Sequence, residues 1–591
     1  MRDTGEFARL GGDVVSSSVP IVLREKGDLG RSGELDALHE ANARSRPALP
    51  ANASCSEPFL RIPPFPAAKV KYFRQLDAAR VDDPSLVEEV RRARVGGTYW
   101  ARRVNLPPRR VLVRSRAALD EARNVFAEER LVVWTSATAA PPADFDQALV
   151  ITGECDPWDI ISSAEAVIAD PGDELLTIAA ALSVDAYVLD PGTGKLERIR
   201  ASAHELLSAA LSQQAFENPF SGEVLTAREA VRLCGFWRRL IDSNRDLAGG
   251  LGFAFWKQSH VAPLLWGGGA PFKFFRSSAE AGGFGAVAVW RAKVGPEALT
   301  ALRRRDIDLV EVEDGFLRSR GLGADCIPPL SLTVDRLGAH FDPLRASELE
   351  LLLQDGDFAD AELDRARDLR RLIVGAGLGK YESGTVVLER PAGARRHILV
   401  PGQVEDDRAV ETGGCGLVSN LELLRRVREQ APDAYILYKA HPDVLAGHRR
   451  GAISDRECLR FADEVVRDGS IASLIDMVDE VHVNTSLAGF EALLRGKAVA
   501  TYGVPFYAGW GLTHDHGPVP VRRTARRTID ELVAAALVLY PRYLDPLTGL
   551  PCPAEVVVER LIKVEASGLP ALVGMRRIQG KVMRRLRSFV Q

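Results

Sequence analysis

Residues 477–502, MVDEVHVNTSLAGFEALLRGKAVATY, decide the fold class. An acidic turn leads into the apolar run Val481-His482-Val483, a polar break follows at Asn484-Thr485-Ser486, and a second apolar run spans Ala498 to Tyr502. Between the runs, Leu487 to Arg495 has helical length, with N-cap residue types before it and the C-cap type Gly496 after it. Strand, helix and strand in so short a stretch predict an α/β layer with neighbouring parallel strands. Residues 162–189, SSAEAVIADPGDELLTIAAALSVDAYVL, repeat this order but carry Asp170-Pro171-Gly172 where the first stretch has Thr485-Ser486. A shared α/β unit explains the likeness without a shared activity. If the two are true copies, the N-terminal one has lost its hydroxyls and reads as structural.

Working outward, apolar runs at Leu131 to Trp134, Ala148 to Ile151 and Ala166 to Ala169 alternate with helical patterns. Residues 61–231 are therefore expected to form an additional α/β region. Residues 1–60, rich in Ser, Gly, Ala and charge, read as a mobile or loosely docked arm. A new module is expected from Arg232, where Phe236-Trp237-Arg238-Arg239-Leu240-Ile241 opens a helical pattern. Its first half, 232–390, holds the apolar run Ala286 to Trp290 and a strand over Ile307 to Val312. Its second half, 391–561, holds strands at 397–400, 435–439, 464–466, 480–483 and 498–502. Two Rossmann-like halves facing one cleft are the economical assembly.

The chain has 591 residues, too many for one core, and 76 basic against 80 acidic residues leave a net charge of -4. That balance gives no global reason to expect nucleic acid. Seven scattered cysteines without a CxxC pair indicate neither a disulfide framework nor a zinc site, and fit a reducing cytoplasm. No apolar run reaches the length of a membrane span, and the N-terminus does not read as a secretory signal. Residues 562–591 form a tail in which Arg576, Arg577, Lys581, Arg584, Arg585 and Arg587 alternate with apolar side chains. The pattern of a basic amphipathic helix fits peripheral contact with an anionic membrane, and equally a helix docked on its own domain.

Four segments place polar groups just after expected strands. In Val312-Glu313-Asp314-Gly315-Phe316-Leu317-Arg318-Ser319-Arg320-Gly321, Asp314 has the chemistry of a nucleophile or base and Glu313 that of its partner. Arg318 or Arg320 offers a fork for a carboxylate or phosphate; the plain alternative is an Asp-Gly turn neutralised by Arg318. In Pro401-Gly402-Gln403-Val404-Glu405-Asp406-Asp407, Gln403 and Asp407 have groups to read a base or sugar edge, or belong to an exposed acidic loop. In Tyr438-Lys439-Ala440-His441-Pro442-Asp443, Pro442 stops the strand and fixes the imidazole at the sheet edge; a lone histidine there is more often structural, and beside Lys439 it offers an anion site. Asn484, Thr485 and Ser486 open a helix whose free N–H groups and dipole favour phosphate, although capping alone needs one such residue. Glu491 follows about a turn further in, and the loop through Gly503 and Pro505 closes the next strand with a rigid aromatic segment. There is no Walker A or HExxH sequence. The acidic triplets at Asp144, Asp306 and Asp355 stand apart from these segments, so a metal-clamped diphosphate donor is not indicated.

Taken together, EDGFLRSRGLG, PPLSLTVD at 328–335, QVEDD at 403–407, YKAHPDV at 438–444 and NTSLAGFEALLRGKAVATYGVPFYAGWGLT at 484–513 resemble the bacterial capsule polysaccharide β-Kdo transferases of the KpsC and KpsS type. The resemblance covers about Arg232 to Leu561. It implies a GT-B-like fold and transfer of Kdo, an eight-carbon acidic keto sugar, from CMP-β-Kdo to a glycan or glycolipid acceptor with retention of configuration. It further implies no metal and no cofactor beyond the donor itself, at the inner face of the cytoplasmic membrane. Matched by motif, Asp314 would attack the anomeric carbon, while His441, Lys439, Thr485 and Ser486 stabilise the departing CMP phosphate and Glu491 holds the ribose. Arg318 would take the Kdo carboxylate, with Arg320 as the alternative. Lys380-Tyr381-Glu382 and Arg408-Ala409-Val410 depart from the family's usual residues, which bears on acceptor and linkage rather than on the donor. Another CMP-sugar or polyol-phosphate transferase, or a non-catalytic glycan-binding or assembly protein, are the competing readings.

Overall fold

The computed structural model describes residues 58–73, 81–135, 149–212, 216–282, 285–317, 328–378, 390, 393, 395–445, 447, 449–467 and 469–566. Arg318, Arg320, the arm to residue 57, Lys380-Tyr381-Glu382 and the tail beyond 566 lie outside the described residues. Among the described residues the chain divides into two compact units, one of 58–64 and 71–242 and the other of 65–70 and 243–566. No described helix is long and apolar enough to cross a membrane.

The N-terminal unit is built on β1 (Arg110–Val113), β2 (Leu131–Thr135), β3 (Leu149–Thr152), β4 (Ala164–Ile168), β5 (Asp185–Leu189) and β6 (Leu196–Arg198), ordered β3-β2-β1-β4-β5-β6. All pairs are parallel except β5 with β6. Val111, Val113, Leu131, Val133, Ala166 and Ile168 form its core. A small ribbon of β7 (Phe216–Glu217) and β8 (Val224–Leu225) follows. The helix Ala227–Asp242, which the sequence pattern assigns to the next module, falls in this unit instead. Its apolar stripe buries Val231, Trp237 and Ile241, and buried Arg238 pairs with Asp156 at 2.6 Å and Asp242 at 3.0 Å. The division therefore falls at Ser243 rather than Arg232.

The second unit contains two sheets. The first takes β9 (Leu247–Leu251), β10 (Phe274–Phe275), β11 (Ala286–Val289), β12 (Leu309–Asp314) and β13 (Ser331–Asp335). The second takes β14 (His397–Pro401), β15 (Tyr435–Lys439), β16 (Glu464–Val465), β17 (Glu480–Val483), β18 (Ala498–Thr501) and β19 (His514–Asp515), all parallel, in the order β16-β15-β14-β17-β18-β19. The chain then returns to the first sheet with β20 (Arg542–Leu544) and β21 (Pro551–Cys552), giving the order β10-β9-β11-β12-β13-β20-β21. These last strands are short and antiparallel, and no alternating apolar run announces them; residues 542–552 therefore sit apart from the second-half sheet to which the chain position assigns them.

Strand β12 runs two residues further than its apolar residues suggest. It is parallel to β11 but antiparallel to β13, with Glu313 opposite Thr333 and Asp314 opposite Leu332. The acids are tolerated inside a strand because alternate side chains leave on opposite faces. Val310, Val312 and Asp314 share one face, and the two valines join the core formed with Val261, Leu264 and Leu265 of the helix Phe255–Leu265. Glu311 and Glu313 share the other face.

Candidate functional site

At the C-terminal ends of β14, β15 and β17 lies an open pocket with about 530 Å³ of empty space, lined by Gly402, Lys439, His441, Pro442, Ser486 and Glu491 among others. Parallel strands end here together, which is where open α/β sheets receive ligands. Gly402 N–H donates to the Lys439 carbonyl at 2.8 Å and ties two of these ends together. Lys439 is buried, its Nζ 3.5 Å from the carbonyl oxygen of Arg467. His441 Nδ1 accepts from the Asp443 N–H at 3.1 Å, which fixes the orientation of the ring. Pro442 opens the short helix Pro442–Leu445.

The helix Leu487–Leu494 begins at this pocket. Ser486 Oγ accepts from the Ala488 N–H at 3.2 Å, and the buried Tyr507 hydroxyl donates to the Ser486 carbonyl. No acidic residue stands in the first turn, so the remaining N–H groups and Lys439 give this wall a positive character. Glu491, buried one turn on, is the acid that lines it. Such a wall suits a phosphate, with a carboxylate placed to accept from hydroxyls.

The other polar candidates of this sheet build the pocket from behind. Gln403 Nε2 donates to Thr485 Oγ1 at 3.0 Å while its Oε1 accepts from the Thr485 N–H at 2.9 Å, a closed pair that fixes the helix entry. Asn484 is buried and donates to the Leu417 carbonyl at 2.6 Å. Gly503 is obligatory against it, since a Cβ there would fall 2.4 Å from Asn484 Oδ1. The Pro505 carbonyl accepts from Arg523 Nη1 at 2.9 Å. Asp407 caps the helix Arg408–Gly413 by accepting from the Ala409 N–H at 3.0 Å. Its position serves to start the helix that carries Arg408.

On β12 the neighbouring acids have different surroundings. Asp314 Oδ1 lies 3.1 Å from Lys257 Nζ, and that ammonium stands 3.5 Å from the centre of the Trp290 ring. Glu313 pairs with Arg408 at 2.6 Å, and Arg408 also reaches Glu311 at 3.5 Å. Burial pushes the Glu313 carboxyl up to about 7; Arg408 pulls against this, and the charges of Asp314 and Glu311 push with it. Gly315 follows because a Cβ there would sit 2.3 Å from Ser331 Oγ.

Two features tie β12 to the pocket sheet. Arg408, from the helix after β14, bridges to Glu313, and Phe316 packs 4.5 Å from Phe506 and 6.2 Å from Phe490, the neighbour of Glu491. Lys439, His441, Pro442, Ser486 and Glu491 thus gather on one pocket, Asp314 and Glu313 sit on the linked strand, and Gln403, Asp407, Asn484, Thr485, Gly503 and Pro505 serve as supports. Lys257 escapes a reading of the sequence, and Arg408 stands there only as a departure from the family's usual residues. Lys257 lies in no motif, and only the pairing of separate elements reveals either partner.

Residues 382–543 match the family described as capsule polysaccharide biosynthesis protein. The capsule polysaccharide modification protein LipA of Neisseria meningitidis serogroup A / serotype 4A is 37% identical over 366 residues, 61% of this chain and 52% of that protein. This chain therefore spans about half the length of that relative. The solved β-Kdo 2,7 transferase of Thermosulfurimonas dismutans KpsC is 34% identical and matched over 54% of this chain and 99% of its own, with a TM-score of 0.45. The β-Kdo 2,4 transferase of the same KpsC is 33% identical, matched over 53% and 98%, with a TM-score of 0.47.

Proposed function

We propose that the chain, similar over much of its length to capsule polysaccharide biosynthesis and modification proteins, transfers Kdo from CMP-β-Kdo to a glycan or glycolipid acceptor with retention of configuration. In this reading the second unit is a GT-B-like pair of halves facing a cleft. The CMP phosphate lies against Lys439, His441 and the helix begun by Ser486, the ribose hydroxyls against Glu491, and no metal takes part. The observation that carries it is the meeting of Lys439, His441, Ser486 and Glu491 on one pocket wall, a donor set matched to a nucleoside monophosphate.

Retention follows from two inversions. An Asp314 oxygen bonds to the anomeric carbon as the bond to the phosphate oxygen breaks, its electron pair leaving with CMP. The acceptor hydroxyl then displaces Asp314 and gives up its proton. Glu313 leaves β12 on the opposite face, and its role is to hold Arg408 and with it the end of the strand. The reaction would take place at the cytoplasmic face of the membrane, where capsule or related surface glycans begin.

Purified full-length chain, given CMP-Kdo and a Kdo-bearing glycolipid, is expected to release CMP, and Asp314→Asn to lower that rate on the order of 10³-fold or more with CMP affinity retained. Release from a different CMP-activated sugar alone would replace Kdo in this assignment, and no CMP binding would favour a non-catalytic glycan-binding role.

A further inference from the structure

We propose that Lys257 binds the carboxylate of the donor sugar beside Asp314 and so selects keto-acid sugars over neutral ones; the inference rests on the transfer proposed above. In a keto-acid sugar the carboxylate is bonded to the anomeric carbon itself. A carboxylate nucleophile must therefore approach a second negative charge, and two such charges at close range repel each other. A cation beside the nucleophile removes that obstacle.

Lys257 has this position. Its Nζ is 3.1 Å from Asp314 Oδ1, and its side chain is 12% exposed. The Trp290 ring centre lies 3.5 Å from the ammonium and that of Trp256 5.2 Å, so the cation is held partly by aromatic faces, which attract it without cancelling its charge. The residue stands in the first turn of the helix Phe255–Leu265, where a lysine opposes the helix dipole and no acid in that turn balances it. The end of β12 thus carries a concentrated positive charge, to which Asp314 is a counterion.

The charges then balance through the reaction. When an Asp314 oxygen bonds to the anomeric carbon and CMP departs with its electron pair, Asp314 becomes a neutral ester. Lys257 keeps a partner because the sugar carboxylate replaces the lost charge. When the acceptor hydroxyl attacks, the ester bond breaks, its electron pair returns to Asp314, and the hydroxyl proton passes to solvent.

The test compares Lys257→Met and Lys257→Arg in the full chain, measuring CMP binding by calorimetry and CMP release from CMP-Kdo. Lys257→Met is expected to bind CMP within about threefold of wild type while kcat/KM for CMP-Kdo falls on the order of 100-fold, and Lys257→Arg to recover about tenfold of that loss. With a donor analogue whose carboxylate is replaced by hydroxymethyl, wild type should lose rate by a similar factor and Lys257→Met should no longer distinguish the two donors. Transfer by Lys257→Met within about threefold of wild type, or a loss of CMP binding as large as the loss of rate, overturns the assignment. A wild-type chain inactive on CMP-Kdo removes the parent reading and this one together; an active wild type with an unaffected Lys257→Met removes this one alone.

Discussion

The sheet of the N-terminal unit and the pocket-bearing sheet share one strand order, with the third, second, first, fourth, fifth and sixth strands side by side. In each, the fourth and fifth strands flank one helix, Glu174–Ala181 in the first and Leu487–Leu494 in the second. The starts of these helices differ in charge. Ser486 caps the second with no acid in the first turn, whereas Asp173 caps the first and Glu174 follows it, with Asp170 nearby accepting from Ser115. Arg61 pairs with Glu174, and Arg114 lies 3.4 Å from Asp173. Burial raises both carboxyls, Arg61 and Arg114 opposing the shift. The N-terminal helix start is thus already filled by the protein's own anions and their counterions. Topology supplies a place for a ligand, but the charge at one helix entry decides whether an anion is admitted.

The strongest way to break the comparison is to write the N-terminal charge into the pocket. Asp is as good an N-cap as Ser, so Ser486→Asp should leave the melting temperature nearly unchanged. A fixed carboxylate where the phosphate is expected should weaken CMP binding on the order of 100-fold, read by calorimetry. Undiminished CMP affinity would mean that the phosphate lies elsewhere, and the contrast between the two helix entries would lose its functional content.

Arg61→Met probes the other side. It leaves Glu174 buried without its arginine and should destabilise the N-terminal unit by about 3 kcal/mol, read as faster amide exchange in peptides from β4 and β5, with CMP binding unchanged. The sign with pH follows from the direction of the shift. Glu174 has a folded pKa above its ordinary value, so its ionisation costs the fold at neutrality and its protonation relieves that cost. The deficit should shrink as pH falls toward about 4.5. An equal loss of protection throughout the second unit would show that the pair does not act locally.

β14, β15, β17 and β18 were legible because parallel strands buried on both faces appear as continuous apolar runs, and these strands start where the runs start. Ser486 and Gly496 were legible for a different reason, since capping chemistry is local. The helix Ala227–Asp242 was misassigned because an amphipathic stripe shows that a helix packs and not what it packs against. Lys257 is silent in the sequence, and Arg408 shows there only as a departure from the family's usual residues, because their meaning is relational. Each is an ordinary exposed-type residue in sequence and becomes significant only through Asp314 or Glu313 on another element. The consecutive acids are legible in the sequence, but their separation onto two faces requires the strand to continue through Asp314.

The smallest expected effect sharpens the comparison through its two arginine–glutamate pairs. Arg61 and Glu174 stay within the N-terminal unit, whereas Arg408 and Glu313 join the two sheets of the second. Glu313 rises from its ordinary 4.5 to about 7 on folding, chiefly through burial. Its raised pKa means that stability is greatest while it is protonated and is lost as pH climbs toward 7, with little further change above. Arg408 lowers this value, so Arg408→Gln should move the inflection upward by about one unit, adding about 1.4 kcal/mol to the loss at alkaline pH. Unfolding free energy measured across that range, together with the carboxyl resonance of labelled glutamate, should show wild type and variant diverging as pH rises above neutrality. An inflection that stays in place, or moves down, would mean that Arg408 contributes packing rather than charge, and the tie between the sheets would rest on the Phe316, Phe490 and Phe506 rings instead.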